Sequence, residues 1–304
     1  MLTAFLLAVS LISIDPSAGT AGFDFLRVNP TAREAAMAGA AIGNAEGPMS
    51  FWYSPAHAAR IGYSQALLGY VNYIGGIHIG SAGYSQAVDC DKGIGVGVVY
   101  MNSGSMKRTD PLGNELGTFS VSYADLNVSG GYRLADIFHV GVGIQGLYGA
   151  IDTFYTIGVA GNVGASVDLP IEGVTGLTAG VVARNLGYQV KAFQDGRDAM
   201  PVEIGGGIGY SPNPSLSLAL DVLKPLDNRI VVRAGIEGWI GDMVVLRAGY
   251  NTLGSDMKTG GGADIVAGLS TGLGIRYQNY QLDYCFIPMI ELGMAHRLSL
   301  SIDL

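Results

Sequence analysis

Charge is scarce in this sequence. Asp, Glu, Lys and Arg make up 14% of its 304 residues, against about 25% in a typical soluble domain. Cysteine is nearly absent. Cys90 and Cys285 stand far apart without metal-ligand spacing, and two thiols alone do not define a disulfide. A pairing stays open, but two separate, inert residues are the simpler reading. Positive charge is lacking too: the net charge is −8, and without a basic patch a nucleic-acid partner is excluded. Beyond the first residues, no apolar run approaches the ~18 needed by a membrane helix. Yet 49% of the residues are hydrophobic, 47 are glycine, and mean hydropathy is +0.33. High hydropathy without a helical span is what a transmembrane β-barrel produces, since only alternate residues must face lipid. A Gly- and Ala-rich soluble β-protein is the competing reading.

Met1 to Ile14 is an apolar run too short to span a membrane. Asp15-Pro16 and the small residues Ser17 to Ala21 come after it. An apolar core followed by small residues is the pattern of a signal peptide, here without a basic start. Residues 1–21 are therefore set aside, with cleavage expected after Gly19 or Ala21.

Residues 22–63 differ in character from the rest of the chain. Asn29 can cap a helix, Pro30 suits its first position, and Thr31 with Glu34 offers an alternative capping box. The helix should run through Met37 and stop near Gly39 or Gly43. It is short and built from small side chains, which fits a segment threaded into a confined lumen. This segment is read as a plug.

From about residue 64 the period becomes two. Ile94, Val96, Val98 and Tyr100 alternate with glycine and valine, and Tyr280, Leu282, Tyr284 and Phe286 alternate with Gln281, Asp283 and Cys285. Such alternation predicts strands with one apolar face. The opposite face carries Gly, Ser, Ala and Asn with scattered charge, and all five lysines (92, 107, 191, 224 and 258) fall in expected turns or loops. Lysine at mid-depth on a lipid face costs ~2–4 kcal/mol, which would empty that face. The expected architecture is all-β: a 14-stranded antiparallel transmembrane β-barrel over 64–304 with a short N-terminal helical plug. Its strands are expected near 65–73, 75–88, 92–102, 121–133, 137–149, 154–168, 175–185, 200–211, 214–224, 229–238, 243–250, 265–275, 278–287 and 293–303. The long connections 103–120, 186–199 and 251–264 are then all odd-numbered, as short periplasmic turns and longer external loops require. Both chain termini are expected in the periplasm.

Chemistry for catalysis is missing. The Gly runs at 93–97 and 205–209 have no P-loop Lys-Ser/Thr after them. Four histidines (57, 78, 139 and 296) have no credible nucleophile beside them, and no Gly-x-Ser-x-Gly elbow occurs. No enzyme, cofactor or metal site is expected. Inward parity instead collects Arg184, Asp221, Arg233, Glu237, Arg247, Arg276, Asp283 and Arg297. Charges at membrane depth are expensive unless paired or wetted. They are read first as ion pairs tying strands to the plug through Arg33, Glu34 or Glu46, and second as a substrate pathway.

The segment from Phe25-Leu26-Arg27 to Asn44, together with Phe51-Trp52-Tyr53-Ser54-Pro55-Ala56, resembles the N-terminal signature of the PorV/PorQ family of FadL-like outer-membrane barrels. Arg33, Met37, Ala40, Tyr53, Pro55 and Ala56 match that pattern, and Gly39 and Trp52 belong to the same plug motif. Ser54 replaces the usual Asn and His57 the usual Gly. His296 to Ser301 is similar to the family's last strand, although Leu304 closes it where an aromatic is expected. The resemblance implies residence in the outer membrane and contact with its lipid. It implies a cargo-binding or shuttle role in type IX secretion, with partners carrying C-terminal signal domains. The alternative it implies is a FadL-like transporter of a hydrophobic ligand, and a purely structural barrel is a third possibility.

Overall fold

The computed structural model describes residues 15–304. Most of the expected signal segment, residues 1–14, lies outside the described residues. The strands are β1 (Gln65–Asn72), β2 (His78–Ala87), β3 (Lys92–Asn102), β4 (Met106–Thr109), β5 (Glu115–Phe119), β6 (Val121–Ala135), β7 (Phe138–Ile151) and β8 (Phe154–Asp168). They continue as β9 (Leu177–Lys191), β10 (Glu203–Asn213), β11 (Leu216–Pro225), β12 (Val231–Ile240), β13 (Val244–Asn251), β14 (Leu269–Tyr277), β15 (Tyr280–Pro288) and β16 (Met294–Asp303). All except β4 and β5 join one closed antiparallel barrel of fourteen strands. β16 closes it on β1, from Gln65↔Asp303 to Asn72↔His296.

Alternation makes this wall. Along β7, His139, Gly141, Gly143, Gln145 and Leu147 are buried toward the lumen, while Val142 and Ile144 are 65% and 69% exposed on the outside. The same outward apolar surface recurs around the barrel, with Leu68, Val181, Leu220, Leu246, Leu282 and Leu300 all exposed. So extensive an apolar exterior is untenable in water and is the lipid-facing band of a transmembrane barrel.

One end of the barrel carries short turns such as 136–137, 214–215 and 278–279. The other carries the longer connections 103–120, 192–202 and 252–268. We call these the turn end and the loop end. Two connections differ from expectation. Segment 103–120 holds the hairpin β4–β5, which places Lys107 inside a strand rather than a loop. β9 runs on to Lys191, because Leu186 to Gln189 stay paired with Gly158 to Gly161 beyond a bulge.

The plug helix α1 (Ala32–Ala36) is shorter than the cap signals suggest. Thr31, not Asn29, takes the N-cap position, and its hydroxyl bonds the Glu34 carboxylate at 2.5 Å instead of a backbone N–H. The wall replaces the missing cap. Ser299 Oγ accepts from Ala32 N at 2.9 Å, while the carbonyls of Asn29 and Pro30 accept from Arg297 and Ser81. Asn29 and Pro30 therefore serve the barrel and not the helix. Gly39 ends the helix as expected, with φ +79° and its N–H on Glu34 O at 2.7 Å. A second short helix, α2 (Ser50–Tyr53), and a 3-10 turn over Pro55–Arg60 complete the plug.

The chain threads the lumen from loop end to turn end. Asp15 lies 3.9 Å from Lys224 at the loop end of β11, and Gly22 N donates to Ala199 O at 2.9 Å in the loop-end connection 192–202. Asn44 reaches the turn end, bonding Ser217 at 2.8 Å, and Arg60 meets Asp168 there at 2.7 Å. β1 then starts at the turn end beside Asp303. The expectation of both termini on one side is corrected for the described residues, since Asp15 and Asp303 lie at opposite ends. The plug has to cross the lumen before β1 can begin.

Candidate functional site

The lumen carries ion pairs toward both ends, and the apolar part of its lining lies toward the loop end. At the turn end a vestibule of about 580 Å³ opens onto the plug. Its floor is a chain of ion pairs. Arg33 on α1 grips Glu237 of β12 through Nε at 2.9 Å and a terminal nitrogen at 3.1 Å. Arg247 of β13 approaches the same carboxylate at 2.6 Å and extends to Asp283 of β15, also at 2.6 Å. Glu34 and Glu46 lie 3.2 and 3.7 Å from the Arg33 guanidinium. Forked Arg–carboxylate pairs are the strong form of this contact, and three strands and the plug share one network here.

The other inward charges hold the plug's backbone. Asp221 of β11 accepts from Ala41 N at 2.7 Å and Ile42 N at 3.0 Å. Arg297 donates to Asn29 O, and Arg233 lies 3.5 Å from Gly39 O. Arg184 pairs with Glu203 at 2.7 Å beside an enclosed space of about 20 Å³, room for about one water. Arg276 departs from expectation. It has inward parity, but it lies at the last turn of the wall, exposed at the vestibule's mouth, stacked 4.3 Å above Trp239 and bonded to Gln281.

The motif residues meet the wall closely. Met37 packs against Gly235 and Gly249, Trp52 against Gly97, and Pro55 against Gly141. His57, in the plug and not in a spanning strand, sets Nε2 at 3.2 and 3.0 Å from the carbonyls of Ala41 and Ile42, so that nitrogen carries the proton and donates. Burial, reinforced by Arg60, pushes its pKa down to about 4. The imidazole is neutral and ties two plug segments together.

Toward the loop end the lining turns apolar. Phe23 and Phe25 sit in a buried cluster with Val71, Ile79, Val99, Leu147 and Met200. Phe25 stacks on Tyr123 with ring centroids 5.2 Å apart, and Phe23 meets the same ring edge-on at 6.0 Å. Phe23 holds a left-handed φ of 53°, a strained conformation for a bulky residue. Arg27 pins this segment through Asp227 and Asp24. Sequence reasoning missed Arg27, Asp227 and Glu203. It also missed the polar side chains Asp125, Asn127 and Gln145, which parity counting along β6 and β7 would have placed inward.

Among the described residues no cluster of His, Cys, Asp and Glu could hold a metal. Cys90 is exposed and Cys285 buried, and they are not bridged.

No family model and no curated protein matches this sequence. Solved structures do match in fold. The Pseudomonas putida toluene transporter TodX is 11% identical with a TM-score of 0.58, over 88% of this chain and 95% of that one. The CymD monoaromatic hydrocarbon channel is 12% identical with a TM-score of 0.60, over 93% and 99%. A Pseudomonas aeruginosa FadL homologue is 13% identical with a TM-score of 0.57, over 90% and 98%. This chain has the fold of FadL-like barrels, and the PorV/PorQ resemblance rests on its N-terminal motif and its His296–Ser301 ending alone.

Proposed function

We propose that this chain is an outer-membrane channel, not an enzyme, that passes small hydrophobic molecules, with its loop end outside the cell. The carrying observation is the apolar lining at the loop end, where Phe23 and Phe25 pack against wall residues above the plug. The network of Arg33, Glu237, Arg247 and Asp283 stands at the opposite end, facing the wet vestibule. The solved barrels of like fold include hydrocarbon channels, which supports the same reading. The plug motif Arg33, Met37, Gly39, Trp52 and Pro55 then seals the path at rest. The type IX secretion reading has the motif resemblance behind it and no feature of the lumen.

The test is uptake. Cells producing the chain should accumulate a labelled monoaromatic hydrocarbon faster than cells with an empty vector, while a hydrophilic sugar of similar size shows no difference. Equal hydrocarbon uptake in both would sink the proposal. Recovery of secreted proteins sharing a C-terminal β-domain with the purified barrel would replace it with the secretion reading.

A further inference from the structure

The lipid-facing wall where β16 closes on β1 carries polar side chains in an unusual arrangement. Asn72 on β1 is paired on one side with His78 of β2 and on the other with His296 of β16. All three have outward parity in the last row below the loop end. A second row supports them. Tyr70 Oη is 2.8 Å from His78 Nδ1, and Tyr284 Oη is 2.7 Å from His296 Nδ1. A phenol is a better donor than an imidazole N–H, so each tyrosine donates to Nδ1 and each ring carries its proton on Nε2. The two tyrosines thereby set both histidines in the same tautomer. Three donors result, two imidazole Nε2–H and one carboxamide, across three adjacent strands spaced ~4.8 Å apart.

A second observation lies below, toward the turn end, on the same strands and the neighbouring β3 and β6. An apolar groove of about 540 Å³ runs over the outside of the wall, lined by Leu68, Ala82, Val98, Leu126 and Leu300. It exists because Ala82 stands among larger neighbours. Between groove and donors the row holds Tyr70 on β1, Leu298 on β16 and, on β2, Gly80, where a Cβ would meet nothing within 4 Å, so β2 alone leaves an open path from one to the other. Leu68 is four residues from Asn72 along β1, about 13 Å at strand rise.

We infer that the outer face of β1, β2 and β16 is a site for one outer-leaflet lipid carrying a phosphate monoester, with the phosphate on His78, Asn72 and His296 and an acyl chain in the groove. Three donors match the three free oxygens of a monoester, whereas a diester offers two. The polar row above an apolar groove matches a molecule whose head and tail straddle the membrane interface. The assignment of the outer leaflet rests on the orientation proposed above. Binding itself does not, so failure of hydrocarbon uptake would leave it standing.

The experiment is native mass spectrometry of the full chain in detergent, titrated with dimyristoyl phosphatidic acid. One lipid should be retained per barrel. The double variant His78→Ala/His296→Ala should lower retention about a hundredfold or more, the loss expected when two hydrogen bonds to a charged group are removed. Ala82→Phe, which fills the groove and leaves the donors intact, should lower it as well. Both variants should keep the heat-dependent gel shift of the folded barrel. Excess inorganic phosphate should not displace the lipid. Equal retention by all three proteins would overturn the site, as would equal retention of dimyristoyl phosphatidylcholine or displacement by inorganic phosphate. Lipid-free dimers lost in the Ala82→Phe variant would assign the groove to a second copy instead.

Discussion

Arg33 and Glu237 face each other as a two-bond fork between the plug and the wall, at 2.9 and 3.1 Å. Glu237 is the shared anion of the network, since it also holds Arg247. Its removal leaves two buried guanidinium groups facing one another, whereas loss of Arg33 leaves Glu237 still paired. Breaking a buried pair from the wrong side costs about 3–5 kcal/mol. Glu237→Gln should therefore loosen the plug more than Arg33→Met. Proteolysis within 40–48 in the folded barrel should accelerate in the order wild type, Arg33→Met, Glu237→Gln. Equal protection in all three would show that the fork does not fasten the plug.

Asp221 fastens the plug by another means, because one oxygen accepts both Ala41 N–H and Ile42 N–H. Asp221→Asn keeps an acceptor and should be tolerated. Asp221→Leu orphans two buried donors, at about 1–3 kcal/mol each. Hydrogen exchange should speed at residues 41 and 42 in the leucine variant and stay near wild type in the asparagine variant. Unchanged exchange in both would remove Asp221 from the plug's anchorage.

The wall was legible in the sequence and the plug's path was not, for a physical reason. A two-residue period has to be kept wherever lipid touches one face, so β3, β7 and β15 announce themselves. Strand ends and loops feel no such constraint. The β4–β5 hairpin, with Leu112 and Leu116 exposed, carries no alternation, and the bulge at Arg184 and Asn185 interrupts the parity of β9. Inward charges were found by the same parity, but their partners depend on how the plug folds back. Arg33 reaching Glu237 could be anticipated as a plug-to-wall pair, while Asp221 holding backbone could not. Arg276 shows the limit of parity, which tells face but not depth. The threading direction left no trace in the sequence because parity assigns a residue to a face and not to an end of the lumen.

Close approach of plug and wall makes a sharper test, since it depends on backbone. A Cβ at Gly141 would collide with the Pro55 carbonyl and lie 2.5 Å from Ala56 N, neither of which can swing aside. Gly146, on the outer face of the same strand, would meet nothing within 4 Å. Gly141→Ala should cost about 1–3 kcal/mol by overpacking and push the 55–60 turn from its seat, raising ion leak in planar bilayers. Gly146→Ala should conduct like wild type. Matching leak in both variants would mean that the seal lies elsewhere.

Acid should loosen the plug through His57. Its folded pKa of about 4 lies below the ordinary 6.5, because burial and Arg60 disfavour the imidazolium. Between those values the unfolded segment binds more protons than the folded one, so stability rises with pH. The contribution is fully present above 6.5, falls as the pH drops, and is gone below 4, a span of roughly 3 kcal/mol at 1.36 kcal/mol per unit. The plug's melting transition should therefore drop on acidification from pH 7 to 4. His57→Leu gives up the bonds to Ala41 and Ile42 and should melt lower at pH 7. It has no proton to gain, so its transition should change less across the same range. A variant that tracks the wild-type pH slope would assign the acid sensitivity to carboxylates of the vestibule instead.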